Sequence, residues 1–442
     1  MELNIQLKYQ NWQLDVKRNS TRYTVINAGR QLGKSWYAAA EAIITALSKP
    51  GDGWIISPSY RQSKIIFKNV VVLCRQFGIP VEVRTSQNQL TITFLTSGFV
   101  LSAVSSDDPD KLRGATLDLV IFDEAAMMKP DVWPEHIRPM TTVKKARCIF
   151  ISTPKSKNWF YDIYKKGMSG KSPEWKSFTF TTYESEFISK EELEQIRAET
   201  DEITFRQEYL AEFLDNGGNV FPHFATQELT HTPIDGRVYI AGLDLARHND
   251  FTVLTIADLE TSEIVDMLRF NDINWDLQIE RIKSMLSNYH VSSIYADATG
   301  VGDAIVERMK MEEDMPVIPV VFSGRSKAPI IQNLAVMLQQ ESIKIPDDAV
   351  SIDEFMRYEY NQSITGQFTY SAPAGYHDDI VCSIALLAWG ISRAAKDVGG
   401  YLEPAKKNFW SDLPSSEDSG DVFDDWFESN KDFDWESYPS LL

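Results

Sequence analysis

RYTVINAGRQLGKS, spanning Arg22–Ser35, is the stretch that decides the fold. Its first seven residues are mostly aromatic, β-branched or small apolar, and read as a strand ending at Ala28. Small residues follow, and from Lys34 to Leu47 the apolar positions repeat at helical spacing. A strand that turns through such a loop into a helix N-terminus aims several backbone N–H groups at one point, a geometry that cradles phosphate. Ala28 stands where the G-x-x-x-x-G-K-[ST] pattern usually has its first glycine. Gly29, Arg30, Gln31 and Gly33 are then the wrapping residues of an ATP site. Lys34 reaches the β- and γ-phosphates, and the Ser35 hydroxyl ligates Mg²⁺.

Working outward, the first half alternates strand-like and helix-like runs, the signature of an α/β domain. Leu119–Glu124 (LVIFDE) is an apolar strand ending in two carboxylates. Asp123 there suits the Mg²⁺ shell, and Glu124 suits a general base that polarises the attacking water. Another strand ends in Ile151-Ser152-Thr153-Pro154, whose hydroxyls can sense a γ-phosphate or simply cap a helix. Arg30 and Arg113 offer positive charge to a transition state, and each reads equally well as a surface ion pair. Gln13, or Gln10, lies just upstream of the first strand, where an amide could read an adenine edge or face solvent. From Lys155 to about Asn216 the pattern is mostly helical with one strand near Phe178–Thr181, which reads as a lid or linker. Asp215–Asn219 is turn chemistry and reads as a hinge.

Beyond it, Tyr239–Leu243, Thr252–Asp258 and Ile264–Phe270 read as a three-strand meander, and helices and strands then alternate to a closing helix at about Asp378–Ala394. Asp244 sits on an otherwise apolar strand, where a carboxylate is costly unless paired or metal-bound. Asp297 ends a second apolar strand, and Asp378-Asp379 open the last helix after His377. Acidic residues at two strand ends and a helix start suit two Mg²⁺ or Mn²⁺ ions acting on a phosphodiester. Each has a plainer reading: Asp378 as a helix N-cap, Asp244 as a satisfied core carboxylate, Asp297 as a turn-former before Gly300. Asp250 reads more as loop closure than as a ligand, and His248 and His377 as supports around the site. The six histidines show no paired spacing, which argues against zinc.

A chain of 442 residues with 43% apolar residues fits two domains with substantial cores. The expected division is an ATPase core over 1–154, a lid or linker over 155–216, a second domain over 217–398 and an acidic tail over 399–442. The three cysteines are scattered without a C-x-x-C pair, which excludes a disulfide framework and fits a reducing compartment. No stretch resembles a signal peptide or membrane span. The net charge of −19 is uneven: Ser411–Leu442 carries ten acidic residues against Lys431, a net of −9, which leaves −10 on the other 410 residues. DNA binding then needs a local basic patch rather than a globally basic surface.

In the order Trp-Gln, G-R-Q-x-G-K-S, R-G, hydrophobic-D-E-A, S-T-P, G-x-D, x-x-D and H-D-D, the chain resembles the large terminase subunit of tailed bacteriophages over roughly residues 8–395. The resemblance implies an N-terminal ASCE-type P-loop ATPase and a C-terminal RNase H-like nuclease. It implies ATP-driven movement of double-stranded DNA into a procapsid and metal-dependent cutting of concatemers. By motif, Lys34 and Ser35 are the phosphate-loop residues, Asp123 the metal aspartate, Glu124 the catalytic glutamate, and Ser152-Thr153 the coupling segment. Asp244, Asp297 and Asp379 or Asp378 are the nuclease ligands, and Arg113 or Arg30 is the arginine acting between neighbours. The implied partners are a small terminase subunit, the portal protein and copies of the chain itself, a monomer in solution forming a ring on the portal. The implied location is the host cytoplasm, with transient docking on the procapsid and absence from the mature virion. Ala28 and Asp297 depart from the commoner Gly and Glu. The tail matches no motif, and reads as a docking segment or as an inert solubilising one. Two other readings use the same residues: an ATP-driven helicase or remodeller with a catalytically inactive second domain, and a non-enzymatic assembly protein.

Overall fold

The computed structural model describes residues 7–86, 89–107, 112, 114–215, 217–246, 250–299, 301–312, 315–322, 326–363, 368–373 and 375–398. Arg113, His248 and the acidic tail, singled out above, lie outside these residues. In the first half, helix α1 (Asn11–Asn19) precedes strand β1 (Tyr23–Ala28), α2 (Lys34–Ser48), β2 (Asp52–Ser57) and α3 (Tyr60–Gln76). Strands β3 (Val81–Ser86), β4 (Gln89–Phe94), β5 (Val100–Ser105), β6 (Leu119–Asp123), β7 (Arg147–Ser152) and β8 (Trp175–Phe180) complete one eight-stranded sheet. Its order is β3-β4-β5-β2-β6-β7-β1-β8. The six strands from β5 to β8 run parallel, and β3 and β4 add an antiparallel edge. Parallel strands covered by helices on both faces are buried on both sides, and β1 and β6 are buried at every residue.

Strand β3 was not visible in the sequence. Its Val81-Glu82-Val83-Arg84 alternation is short, and the strand sits half exposed at a sheet edge. One face of the sheet packs on α2 and α3. The other holds Trp133, whose ring lies 5.0–6.2 Å from those of Tyr23, Phe122, Phe150 and Trp175. Short helix α4 (Arg138–Met140) also lies on this side, with α5 (Trp159–Met168) ahead of β8. Strand β8, from the segment read as a lid, pairs in parallel with β1 and flanks the phosphate loop. Helices α6 (Lys190–Glu199) and α7 (Glu202–Glu208) then lead out of this half.

The segment read as a hinge contains a short strand, β9 (Gly217–Asn219), and β10 (Thr226–Gln227) follows. The second half is a five-stranded sheet of β11 (Tyr239–Asp244), β12 (Thr252–Asp258), β13 (Ile264–Phe270), β14 (Val291–Asp297) and β15 (Val317–Val320). Its order is β13-β12-β11-β14-β15, antiparallel on the meander side and parallel from β11 to β15. Helices α8 (Trp275–Leu286), α9 (Val301–Glu312), α10 (Lys327–Gln339) and α11 (Ala349–Arg357) alternate with these strands or follow them. Strands β16 (Ile345–Pro346), β17 (Glu359–Gln362) and β18 (Phe368–Ser371) precede the last helix, α12 (Asp379–Val398). β9 pairs with β17 and so stitches the start of this half to its end. Among the described residues no helix is long and apolar enough to cross a membrane.

Helix α12 lies directly on β11. A Cβ at Gly242 would sit 2.1 Å from the Ser383 carbonyl and 2.6 Å from the Leu387 nitrogen, so glycine is what lets helix and strand approach this closely. The Ser383 hydroxyl bonds the Gly242 carbonyl at 3.0 Å. That contact fixes the helix N-terminus, with Asp378 and Asp379, beside the end of β11.

The two halves meet through buried amides. Gln362 Oε1 on β17 accepts the Ser156 N–H at 2.8 Å, and its Nε2 donates to Gln207 Oε1 at 2.6 Å. Ser156 is 2% exposed and left-handed, with φ 44°, two residues after the Ser152-Thr153-Pro154 turn.

Candidate active sites

The phosphate loop forms because β1 and α2 are locked at a fixed distance and the residues between must curl. Gln31 and Gly33 take positive φ, 56° and 78°, and Gly33 is the residue before the first turn of α2. Gly29 is pressed against the backbone of distant segments of the same chain: its N–H donates to the Phe180 carbonyl, and an added Cβ would stand 2.5 Å from both Thr182 Oγ1 and the Tyr209 carbonyl. Thr182 and Ser185 donate their hydroxyls to the Arg30 and Gln31 carbonyls at 3.0 and 2.8 Å. The loop is therefore held from outside by the segment that follows β8.

Gln10 and Gln13, read from the sequence as facing either an adenine edge or solvent, are packed against the loop. Gln10 Nε2 donates to the Leu32 carbonyl at 3.2 Å, and Gln13 Nε2 to the Gly33 carbonyl at 3.3 Å. Both are buried, at 6% and 1% exposure. Their oxygens accept the N–H groups of Glu186 and Gln10. Trp12 joins them with an indole bond of 3.0 Å to the Leu32 carbonyl. A capping box at the start of α1 thus becomes a brace for the loop.

Lys34 donates to the carbonyls of Ala28 and Gly29 at 2.9 and 2.7 Å. Burial pulls its pKa down, opposed by Glu124, Asp123 and Glu208. Asp123 ends β6 with 5% exposure, and its pKa is pushed up to about 7, first by burial and then by Glu124. Lys34 works against that rise, so the ammonium and the carboxylate share one electrostatic site. Strand β7 lies between β1 and β6, with Ser152 paired to Asn27 on the loop strand and Ile151 paired to Asp123. Ser152 Oγ donates to Glu124 Oε2 at 3.3 Å and accepts the Ala126 N–H. Glu124 itself is left-handed, with φ 51°, which turns its side chain out of the strand end. Thr153 is buried beside it, at 3% exposure, and Ser35 sits half-buried in the first turn of α2.

Arg30 is paired, as its plainer reading has it, but the partner is a buried one. Its Nε donates to Glu208 Oε2 at 2.6 Å, while Lys155 grips the other oxygen of the same carboxylate. Burial raises the Glu208 pKa, and Lys155 and Arg30 more than offset it, so the net shift is downward. Glu208 was missed in the sequence because nothing local marks it; it reaches the loop only through tertiary packing of α7.

In the second half, Asp244 and Asp297 end adjacent parallel strands, each one residue beyond the Leu243–Ala296 pair. Neighbouring strands lie about 4.8 Å apart. Asp379, Asp297 and Asp378 all raise the Asp244 pKa, after burial, to well above the ordinary carboxylate range. Asp297, Asp378 and Asp379 therefore lie near enough to Asp244 to act on its charge, while among the described residues the group of three with ligand atoms within 4.8 Å of one another is Asp250, His377 and Asp379. Asp297 Oδ1 also accepts the Thr299 N–H and hydroxyl, at 2.9 and 2.6 Å, as its turn-forming reading expects. Asp379 is 6% exposed and takes the Phe251 N–H at 3.1 Å. Its pKa rises to about 6, chiefly by burial. Asp250, His377 and Asp379 present ligand atoms within 4.8 Å of one another, which brings Asp250 to the edge of the site.

Two groups here carry no sequence signal. Lys327 opens α10 and its ammonium lies 3.3 Å from Asp378 Oδ2. Glu354, on α11, accepts the Ile380 N–H at 2.8 Å under the start of α12. Its pKa is pushed up to about 7 by burial first.

Each centre suits a hard cation. The first pairs a buried aspartate with a phosphate-shaped loop, and the second gathers oxygen donors whose mutual repulsion a cation relieves.

The comparisons with known proteins agree with this architecture. Residues 25–228 match the family model for the terminase large subunit, T4likevirus-type, N-terminal, and residues 241–387 match the terminase RNaseH-like domain. The chain is 32% identical over 417 residues to the terminase large subunit of Thermus virus P23-45, covering 85% of this chain and 86% of that one. With the terminase large subunit of Escherichia phage T5 it shares 23% identity over 330 residues, 72% of this chain and 73% of that one. The solved structure of a large terminase from a thermophilic bacteriophage, at 14% identity, matches 87% of this chain and all of its own, with a TM-score of 0.56, a likeness of fold. With both halves matched by their own family models, and a relative at 32% identity spanning most of its length, the chain belongs to the terminase large-subunit family of bacteriophages.

Proposed function

We propose that this chain is a genome-packaging motor: an ATPase that drives double-stranded DNA into a procapsid, joined to an endonuclease that cuts concatemeric DNA. The observation that carries the reading is the pair of carboxylate centres, one beside a phosphate loop and one at the ends of β11 and β14, each on its own sheet. The working units are proposed to follow the division read from the sequence, with 1–154 as ATPase core, 155–216 as a lid or linker that also lends β8 to the core sheet, 217–398 as nuclease and 399–442 as tail.

ATP is held by the loop from Ala28 to Ser35, with Gln31 and Gly33 supplying backbone N–H groups, while the N–H groups of Gly29 and Arg30 hold the loop in shape on the Phe180 and Glu208 carbonyls. Lys34 neutralises β- and γ-phosphate oxygens, and Ser35 and Asp123 hold Mg²⁺. Glu124 accepts the proton of the attacking water, whose oxygen bonds the γ-phosphorus as the bond to the bridging oxygen breaks. Ser152, bonded to Glu124 and paired with the loop strand, and Thr153 beside it, relay the state of the site into Lys155 and Ser156. Arg30 and Arg113 are the candidates for transition-state charge. In the second centre Asp244, Asp297 and Asp379, with Asp378 adjacent, hold two Mg²⁺ or Mn²⁺ ions. Such ions supply water activation and charge neutralisation in phosphodiester hydrolysis. The residues of the chain position the carboxylates and exclude competing donors.

The partners are double-stranded DNA, the portal protein, a small terminase subunit and further copies of the chain in a ring on the portal. The site of action is the host cytoplasm, at the procapsid.

The test pairs two assays on the full chain. ATP hydrolysis is expected in the wild type and lost in Lys34→Ala and Glu124→Gln. Plasmid nicking with Mn²⁺ is expected in the wild type and in Lys34→Ala, and lost in Asp244→Ala. A wild type inert to ATP with DNA, small subunit and portal present overturns the motor reading. Nicking that survives Asp244→Ala overturns the nuclease reading.

A further inference from the structure

We propose that Lys327 is a positioning residue of the cutting centre: its ammonium holds Asp378 aside, so that Asp379 joins Asp244 and Asp297 in binding the metal ions. This rests on the nuclease reading above and assigns a role within that site.

Asp378 and Asp379 are consecutive, yet they face different partners. Asp378 Oδ2 lies 3.3 Å from Lys327 Nζ. Asp379 Oδ2 takes the Phe251 N–H at 3.1 Å and lies 3.6 Å from His377 Nδ1. The Lys327 side chain is 23% exposed, with its Nζ 5.7 Å from the centroids of both the Phe322 and Tyr358 rings, which flank the ammonium beside Asp378. Four clustered carboxylates can chelate dications in several competing ways. A fixed cation that engages Asp378 removes it from that competition and lowers the total negative charge at the site.

The test measures Mn²⁺ binding by calorimetry and the kcat and KM of plasmid nicking on the full chain. Lys327→Met is expected to bind Mn²⁺ tighter by on the order of tenfold, because a positive charge a few ångströms away is gone and Asp378 is released. Its kcat is expected to fall at least tenfold with KM for DNA little changed, while ATP hydrolysis stays at the wild-type rate and reports an intact fold. Lys327→Arg, which keeps the charge, is expected to recover most of the kcat. In an Asp378→Asn background, Lys327→Met is expected to change kcat by less than twofold, since its effect on cutting runs through Asp378. Lys327→Gln keeps the stem and repeats the comparison if the methionine variant loses its ATPase.

The proposal is overturned by wild-type Mn²⁺ affinity and kcat in Lys327→Met, by a rise confined to KM, or by an undiminished effect in the Asp378→Asn background. A wild type that neither binds Mn²⁺ nor nicks DNA sinks the nuclease reading itself. A wild type that does both, with Lys327→Met indistinguishable from it, sinks only the role given to Lys327.

Discussion

Replacing Asp379 by asparagine should make the metal-free protein more stable at neutral pH while removing its nuclease. The carboxyl is 6% exposed, and its pKa is raised from the ordinary 3.8 to about 6, by burial before any neighbouring charge. A carboxylate whose folded pKa lies above its unfolded one contributes most to stability below the unfolded value, and that contribution is lost as pH rises through the folded one. At about 1.36 kcal/mol per tenfold change in ionisation, the ionised group costs the fold about 3 kcal/mol at pH 8 and about 0.6 kcal/mol at pH 4. Asparagine has the same shape, carries no charge and still accepts the Phe251 N–H. Urea denaturation with a chelator present is the assay. The expected gain for Asp379→Asn is about 2–3 kcal/mol at pH 8, shrinking to less than about 1 kcal/mol at pH 4. Added Mn²⁺ should stabilise the wild type and close the gap, because ion binding contributes only to the native form that retains the ligand. A variant less stable than wild type at pH 8 without metal, or a gap that is the same at both pH values, refutes the reasoning.

Other outcomes follow from single contacts. Gly29→Ala drives a Cβ to 2.5 Å from Thr182 Oγ1 and the Tyr209 carbonyl, so ATP turnover should fall by on the order of a hundredfold while plasmid nicking persists. Asp123, with its pKa near 7, should make ATP hydrolysis at limiting Mg²⁺ decline as pH drops through 7, and saturating Mg²⁺ should move that midpoint to lower pH; a flat profile from pH 6 to 8 contradicts the raised carboxyl. Gln362→Leu strands the buried Ser156 N–H and the Gln207 amide, and should cost roughly 2–4 kcal/mol in urea denaturation, with no loss if water takes their place. Trp133→Ala removes the ring that contacts Tyr23, Phe122, Phe150 and Trp175, and should destabilise the ATPase half by about 3–5 kcal/mol, read from its thermal midpoint.

By itself the sequence determined the elements that local chemistry specifies. The loop from Ala28 to Ser35 is legible because turning a strand into a phosphate-binding helix needs small residues and a lysine at fixed spacing. Asp123, Glu124, Asp244 and Asp297 are legible because each interrupts an apolar strand run, where an unpaired carboxylate is too costly to occur idly. The strand-to-helix alternation of both halves follows from periodicities that repeat within a few residues.

Only the tertiary structure decided what depends on residues far apart in the chain. It turned Gln10 and Gln13 into braces for Leu32 and Gly33, placed Glu208 between Arg30 and Lys155, and joined Gln362 to Ser156 and Gln207. It also separated Asp378, beside Lys327, from Asp379, beside Phe251, a distinction that two adjacent identical letters cannot carry. The reason is physical: hydrogen bonds and ion pairs depend on distances of about 3 Å, and only the closing of the chain over separations of 20 to 206 residues sets those distances.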